Sequence, residues 1–134
     1  MSVKRIESVR EYEKLKSKGV VIVDYNTVWC GPCKKFAPVF EEIAEKYPDT
    51  IFLSVDPEKI EHEDCMDIST VPTFRIFING EKKREFSGVD RERLEKYAER
   101  YQYQIFYNGN IVRTFNEEEK KNVVEYMDKF SLEN

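Results

Sequence analysis

The 134-residue sequence predicts an α/β domain, a central mixed β-sheet flanked by helices, with an added C-terminal β-hairpin and helix. Three observations carry this. Two short, nearly continuous apolar runs, "VVIVDY" (20–25) and "TIFLSVD" (50–56), bracket a long amphipathic segment, which is the pattern of a strand-helix-strand unit with parallel strands. An Asn79-Gly80 pair divides "TFRIFINGEKKREFSG" (73–88), the strongest short signal for an antiparallel hairpin. A hairpin-helix pattern then occurs twice in succession.

Taken in order, Ser8 and Glu11 have capping-box spacing, and Val9, Tyr12 and Leu15 recur at helical intervals until Gly19, so a helix is predicted over about 9–18. The β-branched run 20–25 is a strand covered on both faces. Phe36, Val39, Phe40, Ile43, Ala44 and Tyr47 form one apolar stripe on a second helix, with Pro38 inside it. Residues 50–56 are the next strand, and 58–68 a short helix. The hairpin 73–88 follows, and Leu94, Tyr97, Ala98 and Tyr101 mark another amphipathic helix.

The tail repeats this last unit. "RIFINGEKKREF" (75–86) aligns with "QIFYNGNIVRTF" (104–115) at an offset of 29, with six of twelve positions identical. The same offset carries Leu94, Tyr97, Ala98 and Tyr101 onto Val123, Tyr126, Met127 and Phe130. Hairpin and helix agree in one ungapped register, so one ββα unit is duplicated. The chain therefore divides into a domain of 1–101 and an extension of 102–134, predicted as strands of about 104–107 and 111–115 and a helix of about 118–130. Its stripe of Val123, Val124, Met127 and Phe130 needs cover from the domain or from a partner chain, which leaves a homodimer through the extension open.

A net charge of -4 with scattered basic residues lacks the footprint that phosphate backbones require, so nucleic acid is not an expected partner. No stretch approaches the roughly 20 apolar residues of a membrane span, and "MSVKRIESVREYEK" lacks a signal-peptide core. The expected location is cytoplasmic. Three cysteines are too few for a disulfide scaffold, and cytosolic dithiols are usually catalytic or metal-binding.

Two of them stand in "TVWCGPCKKF" (27–36), between a strand and a helix. That junction places the Cys30 sulfur at a helix N-terminus, where the macrodipole and free N–H groups stabilise a thiolate, with Lys34 and Lys35 adding screened positive potential. Cys30 is thus the expected nucleophile. Cys33, one turn on, is placed to attack a mixed disulfide on Cys30, and Pro32 stiffens the turn and removes a backbone donor. Asp24, near the end of an apolar strand, would be costly to ionise there and could accept the Cys33 proton. The other reading is that it merely ends a strand in contact with water.

These residues together resemble the thioredoxin family. The chain carries its "WCGPC" as Trp29 to Cys33, the upstream Asp in "VIVDY", the "VPT" of residues 71–73 and a glycine after the last core strand, Gly88. The resemblance covers about residues 3–101, and "VKRIES", "IFLSVD" and "EFSG" are similar to the cytosolic animal-type members. It implies the thioredoxin fold and a protein-disulfide reductase working by dithiol-disulfide exchange. Pro72 would follow a cis peptide bond and Val71 would offer its backbone to an extended substrate. Trp29, Gly31, Pro32, Val71, Pro72, Thr73 and Gly88 would hold the substrate. No cofactor or metal would be bound beyond the redox-active Cys30-Cys33 disulfide. Thioredoxin reductase would recharge it, NADPH entering only through that partner, and disulfide-containing proteins would be its targets. Asn26 and Thr27 depart from the family's usual aromatic or small residues, and strand 50–56 has no lysine for Asp24. These departures bear on the proton affinity of Asp24 and on the redox potential.

Two rival readings remain. Cys30, Cys33, His62 and Cys65 could supply four zinc ligands, although Gly-Pro between the first two and the preceding Trp favour a dithiol. His62 in "EHED" then reads as a solvated surface residue, and Cys65 as a partly buried apolar one or a regulatory thiol. Alternatively, the fold could be an adaptor docking through its extension, which would have no chemical need for Cys30, Cys33, Asp24, Val71 and Pro72 together.

Overall fold

A computed structural model describes residues 2–102 together with 106, 107, 110 and 111. Five strands make one mixed sheet: β1 (Val3–Arg5), β2 (Val20–Tyr25), β3 (Ile51–Val55), β4 (Thr73–Ile78) and β5 (Glu81–Ser87). Their spatial order is β1-β3-β2-β4-β5. β2 pairs parallel with β3 and antiparallel with β4, so every residue of β2 is buried. The predicted strand-helix-strand unit is present. β1, which sequence reading passed over, adds parallel to the far side of β3. With two of its three residues exposed and charged, it has no apolar pattern of its own and is a strand because β3 offers it an unpaired edge.

Among the described residues, four helices cover the sheet: α1 (Val9–Lys16), α2 (Gly31–Lys46), α3 (Glu63–Met66) and α4 (Arg91–Tyr101). Ser8 caps α1, accepting from the Glu11 N–H at 3.1 Å. The Glu11 carboxylate reaches back to the Glu7 N–H, one residue beyond the capping-box partner. α2 includes Pro38, whose missing N–H leaves the Lys34 carbonyl without its usual helical donor. On one face, Phe36, Phe40, Ile43 and Ala44 of α2 and Leu94 and Ala98 of α4 pack with Ile22, Phe52, Phe74, Ile76 and Phe86. On the other, Tyr12 of α1 and Cys65 of α3 pack with Val21, Val23, Tyr25, Leu53, Val55 and Phe77. The period-two alternation along β2 assigns Asp24 to the α2 face with Val20 and Ile22.

The hairpin turns at Asn79 and Gly80, both with positive φ (50° and 85°), as a tight two-residue turn requires. Its ladder shifts between Ile76 and Phe77, so that Lys82 pairs with Phe77, Arg84 with Ile76 and Glu85 with Arg75. Lys83 is the extra residue of a β-bulge. Arg75, only 3 % exposed, thereby faces Glu85 instead of Arg84. Its guanidinium is also held by Asp67 at 2.8 Å and by the Asp64 carbonyl, and it stacks over Tyr25 at 5.1 Å. A buried cation needs this degree of pairing.

In the extension, β6 (Phe106–Tyr107) and β7 (Asn110–Ile111) pair antiparallel as a two-stranded sheet separate from the five-stranded one. The predicted helix of 118–130 lies outside the described residues. Among the described residues no helix is long and apolar enough to cross a membrane.

Phe40 is fully enclosed and meets the Phe52 and Phe74 rings at 5.4 and 5.9 Å. Truncation of Phe40 to Ala is expected to cost about 3–5 kcal/mol, read as a lower urea midpoint with an unchanged slope.

Candidate functional site

β2 delivers the chain to the site. After Tyr25 the backbone leaves the sheet, and residues 26–30 climb to the start of α2. Cys30 is the N-cap of that helix, with extended backbone and a side chain that accepts the Cys33 N–H at 3.2 Å. The first turn contains no acidic residue and has Pro32 at its start, so nothing cancels the positive helix end. Cys30 and Cys33 are joined by a disulfide, with their Cα atoms 5.3 Å apart, and each is 4 % exposed.

Around the disulfide, Trp29 is 65 % exposed, its indole N–H donating to the Glu58 carboxylate at 3.2 Å. The Val71-Pro72 peptide bond is cis, and the Val71 carbonyl oxygen lies 3.9 Å from Cys30 Sγ. Gly88, at φ 90°, donates its N–H to the Pro72 carbonyl at 2.9 Å, tying the end of β5 to the same loop. Thr73 is buried, and its hydroxyl donates to the Thr70 carbonyl at 2.6 Å. Gly31 and Pro32 are exposed on the rim of an open apolar groove of about 530 Å³, which Phe36, Val39 and Val89 also line. The structure thus brings Cys30, Cys33, Trp29, Val71, Pro72 and Gly88 to one end of the sheet.

Asp24 lies below them, 3 % exposed, so the reading of it as a solvated strand end is corrected. Burial pushes its carboxyl up to about 7, against the weaker opposite pull of the Asn26 amide and the Arg5 charge. Among the described residues its Oδ1 and the Thr27 hydroxyl are buried without a protein hydrogen-bond partner. Asp24 and Cys33 both line a cleft of about 480 Å³. Sequence reading missed Glu58 and Arg5, whose distance along the chain carried no local signal.

His62 and Cys65 sit elsewhere. His62 is not the solvated residue expected from "EHED": it caps α3, its Nδ1 accepting the Asp64 N–H at 2.9 Å, and its ring meets Tyr12 edge-on at 4.9 Å. Cys65 is buried in the cluster on the α1 face, across the sheet from the α2 face that carries the dithiol. Burial, reinforced by the Asp64 charge, pushes its thiol up to about 11, which opposes a regulatory role.

A disulfide at a helix N-terminus, beside an exposed tryptophan and a buried carboxyl, on a mixed sheet flanked by helices, defines a disulfide oxidoreductase that works by dithiol exchange. The comparisons agree. The profile of the family described as Thioredoxin matches residues 5–100. The thioredoxins of Equus caballus and Homo sapiens are each 42% identical over 102 residues, 69% of this chain and 92% of theirs. Solved structures of Plasmodium falciparum thioredoxin (TM-score 0.68, 33% identity, 73% of this chain and 98% of that one) and Schistosoma mansoni thioredoxin (TM-score 0.65, 33% identity, 75% and 95%) share the fold. The chain belongs to the thioredoxin family.

The raised Asp24 carboxyl has a stability consequence with a definite sign. Between its ordinary value of 3.8 and about 7 the folded protein holds on Asp24 a proton that the unfolded chain has lost, so the contribution of this group to stability is greatest below about pH 4 and is lost as pH rises through about 7. Asp24→Asn removes this loss. Its urea-unfolding free energy should match the parent's near pH 4 and exceed it by up to about 4 kcal/mol at pH 8. For Cys65, iodoacetamide at pH 8 should label the folded oxidised protein far more slowly than the same protein in urea.

Proposed function

We propose that Cys30 is the attacking thiolate, Cys33 the resolving thiol and Asp24 the proton acceptor of a protein-disulfide reductase. In the reduced protein, Cys30 attacks one sulfur of a target disulfide, and that disulfide breaks as the Cys30 mixed disulfide forms. The target's first sulfur leaves as a thiolate. Cys33 then gives its proton to Asp24 and attacks the Cys30 sulfur. The Cys30-Cys33 bond forms, the mixed disulfide breaks, and the second target sulfur leaves to take up a proton. Two electrons have passed from the dithiol to the target. A carboxyl poised near neutrality is suited to the proton step.

The observation that carries this reading is the Cys30 sulfur at a helix N-terminus, 3.9 Å from the Val71 carbonyl. An extended peptide bonded to the Val71 backbone would present its own disulfide to that sulfur. Trp29, Gly31, Pro32, Val71, Pro72 and Gly88 form the surface that receives it. Thr73, with its hydroxyl committed to Thr70, contributes by holding the Val71-Pro72 loop. We assign recharging to thioredoxin reductase with NADPH, the targets to disulfide-containing proteins, and the working compartment to the reducing cytoplasm. The family match ends at residue 100, which supports 1–101 as the reacting domain and 102–134 as an extension to it.

The test is dithiothreitol-driven reduction of insulin disulfides. The intact chain should turn over rapidly, Cys30→Ser should abolish turnover, and Cys33→Ser should accumulate a Cys30 mixed disulfide. An intact chain that cycles between dithiol and disulfide yet leaves insulin unreduced would overturn the reading.

A further inference from the structure

Arg5, Ser54 and Asp24 are neighbours across three parallel strands, Arg5 paired with Ser54 and Ser54 with Asp24. Side chains at paired positions of adjacent strands leave the sheet on the same face. Arg5 Nη1 donates to Ser54 Oγ at 2.6 Å and to Asn26 Oδ1 at 3.1 Å. Asn26 Nδ2 donates to Ser54 Oγ at 2.9 Å and to the Asp24 backbone carbonyl at 3.1 Å. These three side chains all line the cleft that Asp24 and Cys33 share. A guanidinium is thereby fixed over the cleft by two polar residues, Ser54 on β3 and Asn26 just after the end of β2.

Other charges face the same space. Lys34 and Glu41 of α2 line the cleft, but the Glu41 carboxylate is engaged by the Ser2 and Val3 backbone N–H groups. Asp56, buried just after β3, is 3.9 Å from Arg5 Nη2 and shares the Arg5 charge with Asp24. β3 itself, Ile51–Val55, contributes no cation.

We propose that Arg5 is a positioning residue of the dithiol site, held over the cleft by Asn26 and Ser54 so that its charge favours the carboxylate form of Asp24 and lowers the pH at which Asp24 can take the Cys33 proton. The consequence for the reaction rests on the role proposed above for Asp24. Arg5 side-chain exposure is 42%, so its influence is moderate and sensitive to salt.

The test is a carbon-13 NMR titration of the Asp24 carboxyl in the oxidised full-length chain, which involves no thiol chemistry. Arg5→Gln keeps hydrogen-bonding capacity and removes the charge. Its Asp24 midpoint should rise by several tenths of a pH unit, and Arg5→Lys should return it toward the parent value. High salt should move the parent midpoint upward and leave Arg5→Gln almost unmoved. In the reduced protein, the pH dependence of mixed-disulfide resolution should shift with the same midpoints. Equal midpoints for parent and Arg5→Gln would overturn the proposal, as would an Arg5→Lys midpoint displaced as far as that of Arg5→Gln. Midpoints that shift as expected while Asp24→Asn resolves mixed disulfides at the parent rate would instead defeat the proton-acceptor role of Asp24, and with it the link from Arg5 to the reaction.

Discussion

Everything at the site depends on β2 being buried on both faces. A strand in that position must be apolar along nearly its whole length, and "VVIVDY" is, except at Asp24. A single carboxyl at such a place has lost its water and has too few partners to replace it, so it holds its proton to about neutrality. The burial that makes β2 the centre of the sheet therefore also leaves a carboxyl that can change protonation state near neutrality on the face that carries the dithiol. It costs stability at neutral pH.

The second element is the point where the chain leaves the sheet. β2 ends at Tyr25 and α2 begins at Gly31, so five residues must carry the backbone from the sheet to the overlying helix. The helix N-terminus then falls at the Cys30 sulfur, and its unpaired N–H groups supply a field that favours a thiolate. Phe36, Phe40 and Ile43 lock α2 to the sheet. The electrostatics at Cys30 are consequently held by a hydrophobic interface extending along the rest of the helix.

The opposite face of the sheet shows a different way of managing charge. Arg75 is as buried as Asp24, yet its guanidinium is bound by Glu85, Asp67 and the Asp64 carbonyl. One buried ion is fully paired, and the other carboxyl is left with an unpartnered oxygen. That contrast has a physical consequence, since an unpaired buried group is the one whose protonation state can change near neutrality.

Sequence alone determined the elements with strong periodicity: α1, β2, α2, β3, the Asn79-Gly80 hairpin and α4. It also determined the cysteine pair at a helix start, because spacing and turn chemistry are local properties. The resemblance of "WCGPC" and "VPT" supplied the expectation of a cis bond before Pro72. Tertiary structure decided the rest. β1 is a strand only because β3 has a free edge, and His62 is a cap because Tyr12 and Glu13 of α1 lie against it. A regular two-residue hairpin would have set Arg75 against Arg84; the bulge at Lys83 sets it against Glu85. Whether Asp24 met water or the core, and whether Arg5 came near it, depended on strand order. Chain-neighbour patterns record which face a residue occupies, while burial and charge proximity arise from segments far apart in sequence, and only their packing fixes them.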